Sequence, residues 1–241
     1  MKNIFIIYKR ELSTYFSSPI AYIFIIIFLL LCGITFMLPF FVIGKATMRS
    51  FFNWTPVIML LFIPPITMRL WAEENKLGTI ELLMTLPIKT SEIVLGKFFA
   101  SFTFFLIALA GTLTIPIMLF ILGTPDSGPI LSGYIGMILG GGLFLSIGIF
   151  VSGLFKDQII AFIVTIFFCS ILCLSGWGFF PTLLDNFHNG LGQFAYQHIG
   201  LTRHFEDIGR GVISITDLFY FLSFTVLFLY LNIYSLEGRK Y

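Results

Sequence analysis

The chain has 241 residues, 58% of them hydrophobic and only 11% charged, and its mean hydropathy is +0.99. A water-soluble fold carries about 25% charged residues, so the composition excludes a soluble globular protein and indicates an integral membrane protein. The formal net charge of +2 gives no sign of a nucleic-acid partner.

The opening residues, MKNIFIIYKRELSTYF, break any apolar h-region at Lys9, Arg10 and Glu11 and offer no small-residue cleavage site, so no cleavable signal peptide is expected. Phe5, Tyr8, Leu12 and Tyr15 recur at spacings of three and four, with Lys9, Arg10, Ser13 and Thr14 on other faces. That pattern predicts an amphipathic helix lying in the inner membrane interface, which would also anchor the topology. Six apolar stretches then follow, each long enough to cross about 30 Å of hydrocarbon at about 1.5 Å per residue. They lie near Pro19–Val42, Phe51–Met68, Phe98–Leu122, Leu131–Leu154, Ile159–Phe180 and Leu218–Tyr234, and none has a charge in its middle. Pro19 opens the first, where its missing N–H costs nothing. Pro64 and Pro65 in the second and Pro116 in the third predict bends or local breaks.

Between the second and third stretches, residues 69–97 collect eight charges: Arg69, Glu73, Glu74, Lys76, Glu81, Lys89, Glu92 and Lys97. Leu77, Ile80, Leu83 and Met84 predict one apolar helix stripe here, which Pro87 ends; Thr90 or Ser91 would cap the helix that follows. A plain surface connector would explain the charge. The crowding of Leu82, Leu83, Met84 and Leu86 points instead to a groove, in this protein or in a partner.

The fourth stretch carries Gly133, Gly136, Gly140, Gly141 and Gly142; the GxxxG step at Gly136 and Gly140 predicts close packing, within the chain first and between subunits second. Cys32, Cys169 and Cys173 all lie in apolar runs, where cysteine behaves as a small hydrophobe; Cys169 and Cys173 share a helix face that could in principle hold a soft metal. The segment from Pro181 to Thr216 holds His188, His198 and His204. No two have the spacing of a helical His pair, so ordinary polar surface is expected rather than a metal site. Leu201, Phe205, Ile208 and Val212 predict a short amphipathic helix resting on the outer leaflet or dipping into it.

Orientation follows from the loop cations. With both termini inside, ten Lys and Arg lie inside (Lys2, Lys9, Arg10, Arg69, Lys76, Lys89, Lys97, Lys156, Arg239 and Lys240) and four outside (Lys45, Arg49, Arg203 and Arg210). The positive-inside rule therefore places both ends in the cytoplasm.

The segment EENKLGTIELLMTLPIKTSEIVLGK resembles the stretch after the second span in permease subunits of type-2 ABC exporters. YKRELSTYFSSPIAYI is similar to that family's elbow helix leading into span one, and FKDQIIAF to its short inner turn between spans four and five. HFEDIGRGVISITDLFYFLS is most similar to the gliding-motility-associated ABC transporter permease, with the permease of nitrous-oxide-reductase maturation as the nearest competitor. The resemblance covers essentially the whole chain as one transmembrane domain, residues 1–241.

It implies an all-α membrane protein with six transmembrane helices, an N-terminal interfacial elbow helix, a cytosolic coupling helix and a short external amphipathic helix between spans five and six. It also implies coupling residues at Glu73, Glu74, Leu77, Gly78, Thr79, Ile80, Glu81, Met84 and Pro87, with Lys156, Asp157 and Gln158 in the second inner turn. It implies a cytosolic ATPase dimer as partner, which would hold ATP and magnesium, and a second permease chain, identical or homologous. The chain itself has no GxxxxGK[ST] loop, VLGKFF lacking both the earlier Gly and the following Ser or Thr, so no cofactor of its own is expected.

Three functions fit. The first is an ATP-driven exporter permease in the inner membrane. The second is a relay in which hydrolysis does mechanical work on a membrane partner with a large periplasmic domain. The nitrous-oxide-reductase type would instead export a sulfur or copper species. The third, from another class, is a membrane scaffold or enzyme, whose only candidate residues are Asp185, His188, His198 and His204, without a recognisable arrangement. The spans lack the ionisable groups that ion-coupled transport needs, so the driving energy would enter through the charged insert, and the spans otherwise meet membrane lipid.

Overall fold

The computed structural model describes residues 2–44, 47–85, 87–123, 125–176 and 200–238, together with residues 185, 192 and 196. Among these residues every regular element is a helix: α1 (Lys2–Ser17), α2 (Pro19–Ile43), α3 (Arg49–Thr67), α4 (Arg69–Leu77), α5 (Thr79–Thr85), α6 (Thr90–Gly111), α7 (Thr114–Leu122), α8 (Ser127–Leu154), α9 (Gln158–Leu174), α10 (Leu201–Gly209) and α11 (Ile215–Glu237). Five segments are long and apolar enough to cross a membrane: Pro19–Val42, Arg49–Leu77, Thr90–Leu122, Ser127–Leu154 and Ile215–Glu237. The fifth predicted span, Ile159–Phe180, is represented by α9, an apolar helix of 17 residues; its predicted end at 177–180 lies outside the described residues.

The helix ends follow local chemistry. Pro19 sits at the start of α2, and Gly44 ends it in the left-handed region at φ 66°, its N–H donating to the Phe40 carbonyl. Pro116 breaks the third span after Gly111, as expected from the clash a proline makes one turn back. The residue one turn back is Thr112, whose carbonyl accepts from the Tyr134 hydroxyl at 3.0 Å. Ser214 caps α11 in a reciprocal box with Asp217.

The core gathers around α8, the most buried span; α3, α4, α6, α9, α10 and α11 all pack on it. Its glycines are notches for neighbours' side chains. A Cβ at Gly133 would collide with Phe52, at Gly141 with Phe105 and at Gly148 with Thr67. The predicted GxxxG step packs inside the chain: a Cβ would meet Ile208 at 2.9 Å from Gly136 and Phe205 at 3.0 Å from Gly140. The same contacts correct the outer-leaflet expectation for α10. Its apolar stripe, Leu201, Phe205 and Ile208, is buried against the protein rather than against lipid, because the glycines of α8 leave room for it; Val212 lies beyond the helix and is exposed.

Candidate functional site

The charged segment 69–97 is not one insert. Its first part continues the second span as α4, and its last part belongs to α6, which starts at Thr90 rather than at Phe98. Only residues 78–89 leave both spans, as α5 and the turn around Pro87. The predicted stripe Leu77, Ile80, Leu83 and Met84 is divided by Gly78, whose φ of 70° ends α4 in the left-handed region, where a side chain is strained. The cap of α6 is Lys89; Thr90 is the first helical residue and is buried.

The α3–α4 junction is held by a foreign hydroxyl. Ser152 of α8 donates to the Met68 carbonyl at 2.8 Å and accepts from the N–H groups of Trp71 and Ala72, both at 3.1 Å. A side chain that inserts into a helix ladder in this way is an established cause of a kink. One turn on, the Asn75 amide donates to the carbonyls of Gly153 and Phe155 at 3.3 and 3.1 Å. Taking α4 and α5 together as a finger that leaves the second span, its base in α4 is thereby tied to the end of α8.

A second tie comes from α1 and α6. Gly96 lets α1 lie close to α6, since a Cβ there would meet the Ile7 side chain at 2.8 Å. The next residue, Lys97, is 1% exposed. Its ammonium lies 2.8 Å from the Leu70 carbonyl, 2.9 Å from Glu74 and 3.1 Å from Glu11, and 4.8 Å from the Trp71 ring centroid. Burying a lysine is costly unless it is paired and hydrogen-bonded, and here two carboxylates and a carbonyl do both. Arg10 completes the cluster at 3.6 Å from Glu74 and 3.7 Å from Glu11. Nearby, Tyr15 donates to the Ile66 carbonyl at 3.0 Å; burial pushes its phenol well above the usual range, with Arg69 pulling the other way, so the hydroxyl stays a neutral donor.

The predicted coupling residues therefore separate. Glu74 faces inward onto Lys97, whereas Glu73 is exposed. Leu77, Gly78, Thr79, Glu81 and Pro87 are exposed, Ile80 is half-buried, and Met84 lies on α5. Leu77 and Leu82 are 68% and 69% exposed, a large apolar surface for a segment outside the spans. The second inner turn comes to the same end of the molecule: a cavity of about 300 Å³ is lined by Gly78, Ile80, Glu81 and Lys156. Asp157 caps α9 by accepting from the N–H groups of Ile159 and Ile160, and Gln158 is its first residue.

Sequence reasoning missed Lys97, Glu11, Ser152 and Asn75 as structural residues. The unbroken helical run after Pro87 was a usable signal for Lys97; a single serine in an apolar helix is none. At the other end, His204 lies 2.6 Å from the buried Asp217 and stacks on Tyr220. His188 and His198 lie outside the described residues, among which no group of three metal-ligating side chains occurs. The three cysteines are buried and unpaired.

Helices of this length and apolarity define a multi-pass membrane protein. Residues 49–234 match the family described as ABC-2 family transporter protein, and the chain belongs to that family, the membrane component of an ABC transporter. No curated protein matches the chain.

Proposed function

We propose that the chain is the permease subunit of an ABC transporter, coupled through α5 and its flanks to ATP hydrolysis in a separate cytosolic ATPase dimer that binds ATP and magnesium. The observation that carries this reading is the contrast within the finger. Leu77 and Leu82 stand exposed at its tip, while its base is fixed to α1, α6 and α8 by buried polar bonds. A braced stem with an apolar tip suits docking into a partner's groove and carrying its thrust. Gly78, Thr79, Ile80, Glu81, Met84 and Pro87 would form the docking face beside Leu77. Lys156, Asp157 and Gln158 flank it, and Glu73 and Glu74 stand one turn behind.

In the full reading the 241 residues form one transmembrane domain. It has six crossings, the fifth near Ile159–Phe180, lies in the inner membrane with both termini in the cytoplasm, and works with a second permease chain. Among family members we favour the gliding-motility type, in which hydrolysis drives export or does mechanical work on periplasmic partners. The supporting residues are HFEDIGRGVISITDLFYFLS, which build α10 and the capped start of α11.

The test is co-purification with the ATPase, and ATPase activity, at matched expression. Ile80→Asp and Glu81→Lys should insert normally yet weaken ATPase binding or uncouple hydrolysis. Wild-type behaviour of both would reduce the finger to a connector. Topology is tested separately. In a chain freed of native cysteines, a cysteine at Ser127 should react with an impermeant thiol reagent in intact cells and one at Lys76 should not; the reverse pattern would remove the docking face from the cytosol.

A further inference from the structure

Two cavities meet at Arg69. One, of about 480 Å³, opens among α1, α4 and α5; the other, of about 240 Å³, is a slot walled by Ala21, Phe24, Pro65 and Phe104. Tyr15, Arg69 and Glu73 line both. Ile20, which also lines the slot, is exposed at the start of α2, a helix of membrane-spanning length, so the slot opens at the outer surface of the helices. Its walls are apolar, and its rim on the charged side carries Arg69, Glu73 and Gln158.

Among the described residues none of these three groups has an ion pair or a side-chain hydrogen bond. Arg69 is half-buried and its guanidinium lies 4.8 Å over the Tyr15 ring. Arg69 and Glu73 are one turn apart on α4, where Cβ atoms stand about 5–6 Å from each other, yet they do not pair.

We propose that the slot binds a zwitterionic, primary-amine phospholipid of the phosphatidylethanolamine type from the leaflet on the finger's side. An acyl chain lies in the slot, the phosphate meets Arg69, and the ammonium meets Glu73. The two-carbon linker of the headgroup spans the one-turn separation of the two charges. The rim offers one cation and one anion, so the zwitterion satisfies both without leaving net charge at the membrane boundary. A purely anionic headgroup would place its phosphate on Arg69 but bring no cation to Glu73. A choline headgroup would bring a cation without N–H donors, and charge-assisted hydrogen bonds are the stronger contact. The proposal rests on the membrane character of the chain and uses the proposed topology only to decide which leaflet supplies the lipid.

The test is native mass spectrometry of the full chain, delipidated in detergent and titrated separately with dioleoyl phosphatidylethanolamine, phosphatidylcholine and phosphatidylglycerol. Wild type should bind the ethanolamine lipid about tenfold tighter than either of the others, the scale of one lost charge-assisted contact. Arg69→Gln should weaken binding of all three lipids, since each loses its phosphate contact, while Glu73 still favours the ethanolamine lipid. Glu73→Gln, at an exposed position that folding does not need, should remove the preference over phosphatidylcholine. Glu81→Lys should leave the preference intact, which separates this site from the docking face. Equal binding of the three lipids by wild type, or a preference surviving in Glu73→Gln, would overturn the proposal. So would loss of the bound lipid when the partner ATPase is added, since the slot would then belong to that partner.

Discussion

The base and the tip of the finger lie a single residue apart and are built on opposite terms. In α4 the polar atoms of one face are directed inward. Glu74 reaches Lys97, Asn75 reaches the end of α8, and the N–H groups of Trp71 and Ala72 reach Ser152. In α5 Leu82 is directed outward, as exposed as Leu77 at the end of α4, while Ile80 and Leu83 pack back on the core. Gly78 marks the change. The lesson concerns where charge belongs in a membrane protein. The charged residues of 69–97 do not share one purpose: Glu74 and Lys97 hold the stem, and Glu81 remains available at the tip.

The largest effect is expected at Lys97. Lys97→Met removes the cation that Glu11 and Glu74 share and leaves two largely buried carboxylates facing each other, with Arg10 alone to compensate. Breaking a buried pair from one side costs about 3–5 kcal/mol. Thermal unfolding in detergent should show a destabilisation of that order, and the double variant Lys97→Met with Glu74→Gln should recover part of it. A fall no larger than that of a surface lysine would mean that the stem is held by packing alone.

Ser152→Ala is the next step down. It removes one hydroxyl and leaves the Met68 carbonyl and two N–H groups without that partner. An unsatisfied buried polar group costs about 1–3 kcal/mol. Ser152→Cys should be milder, since the thiol keeps a weak donor and acceptor. Equal stability of wild type and Ser152→Ala would show that the α3–α4 junction is held without help from α8.

Much of this was legible in the sequence, and what escaped did so for one reason. Composition, the helical class and the proline break near Pro116 all depend on residues within a turn or two of one another. Periodicity and propensity report on that range. The partners of Lys97 come from α1 and α4, those of Ser152 from α4, and the notches of α8 are filled by α3, α6 and α10. Such contacts are settled only when helices distant in sequence meet. The charged segment was misread as one insert for the same reason: a charge inside a helix end resembles a charge in a loop until its partner is known. Gly78 was legible as a place to turn, but not as the divide between a buried helix and an exposed one.

Gly78→Ala sharpens that divide. At φ 70° an added Cβ meets open space, so the cost is conformational and not steric crowding. A left-handed non-glycine residue costs about 1–2 kcal/mol, which should appear as a modest loss of stability. If docking uses the angle between α4 and α5, coupling to the ATPase should fall further than stability does. Proportionate losses would make Gly78 a simple helix stop.

The smallest effect on stability is expected at the tip itself, and there the comparison is most exposed to failure. Leu82→Ser alters a side chain that is 69% exposed and makes no buried contact that folding would miss. Surface substitutions of this kind fall within about 0.5 kcal/mol, and removing an exposed leucine lessens a reason to aggregate. Lys89→Ala, exposed beyond α5, should be equally quiet in the melting curve. The two should differ in partner binding. If the tip fills a groove, losing one central apolar anchor costs about 2 kcal/mol or more in affinity, whereas losing Lys89 costs little. The measurement is titration of the ATPase onto the purified permease for both variants. A large loss for Leu82→Ser with an unchanged melting curve is the signature of a surface shaped for a partner, and the same affinity in both variants would return α5 to the role of a connector between two spans.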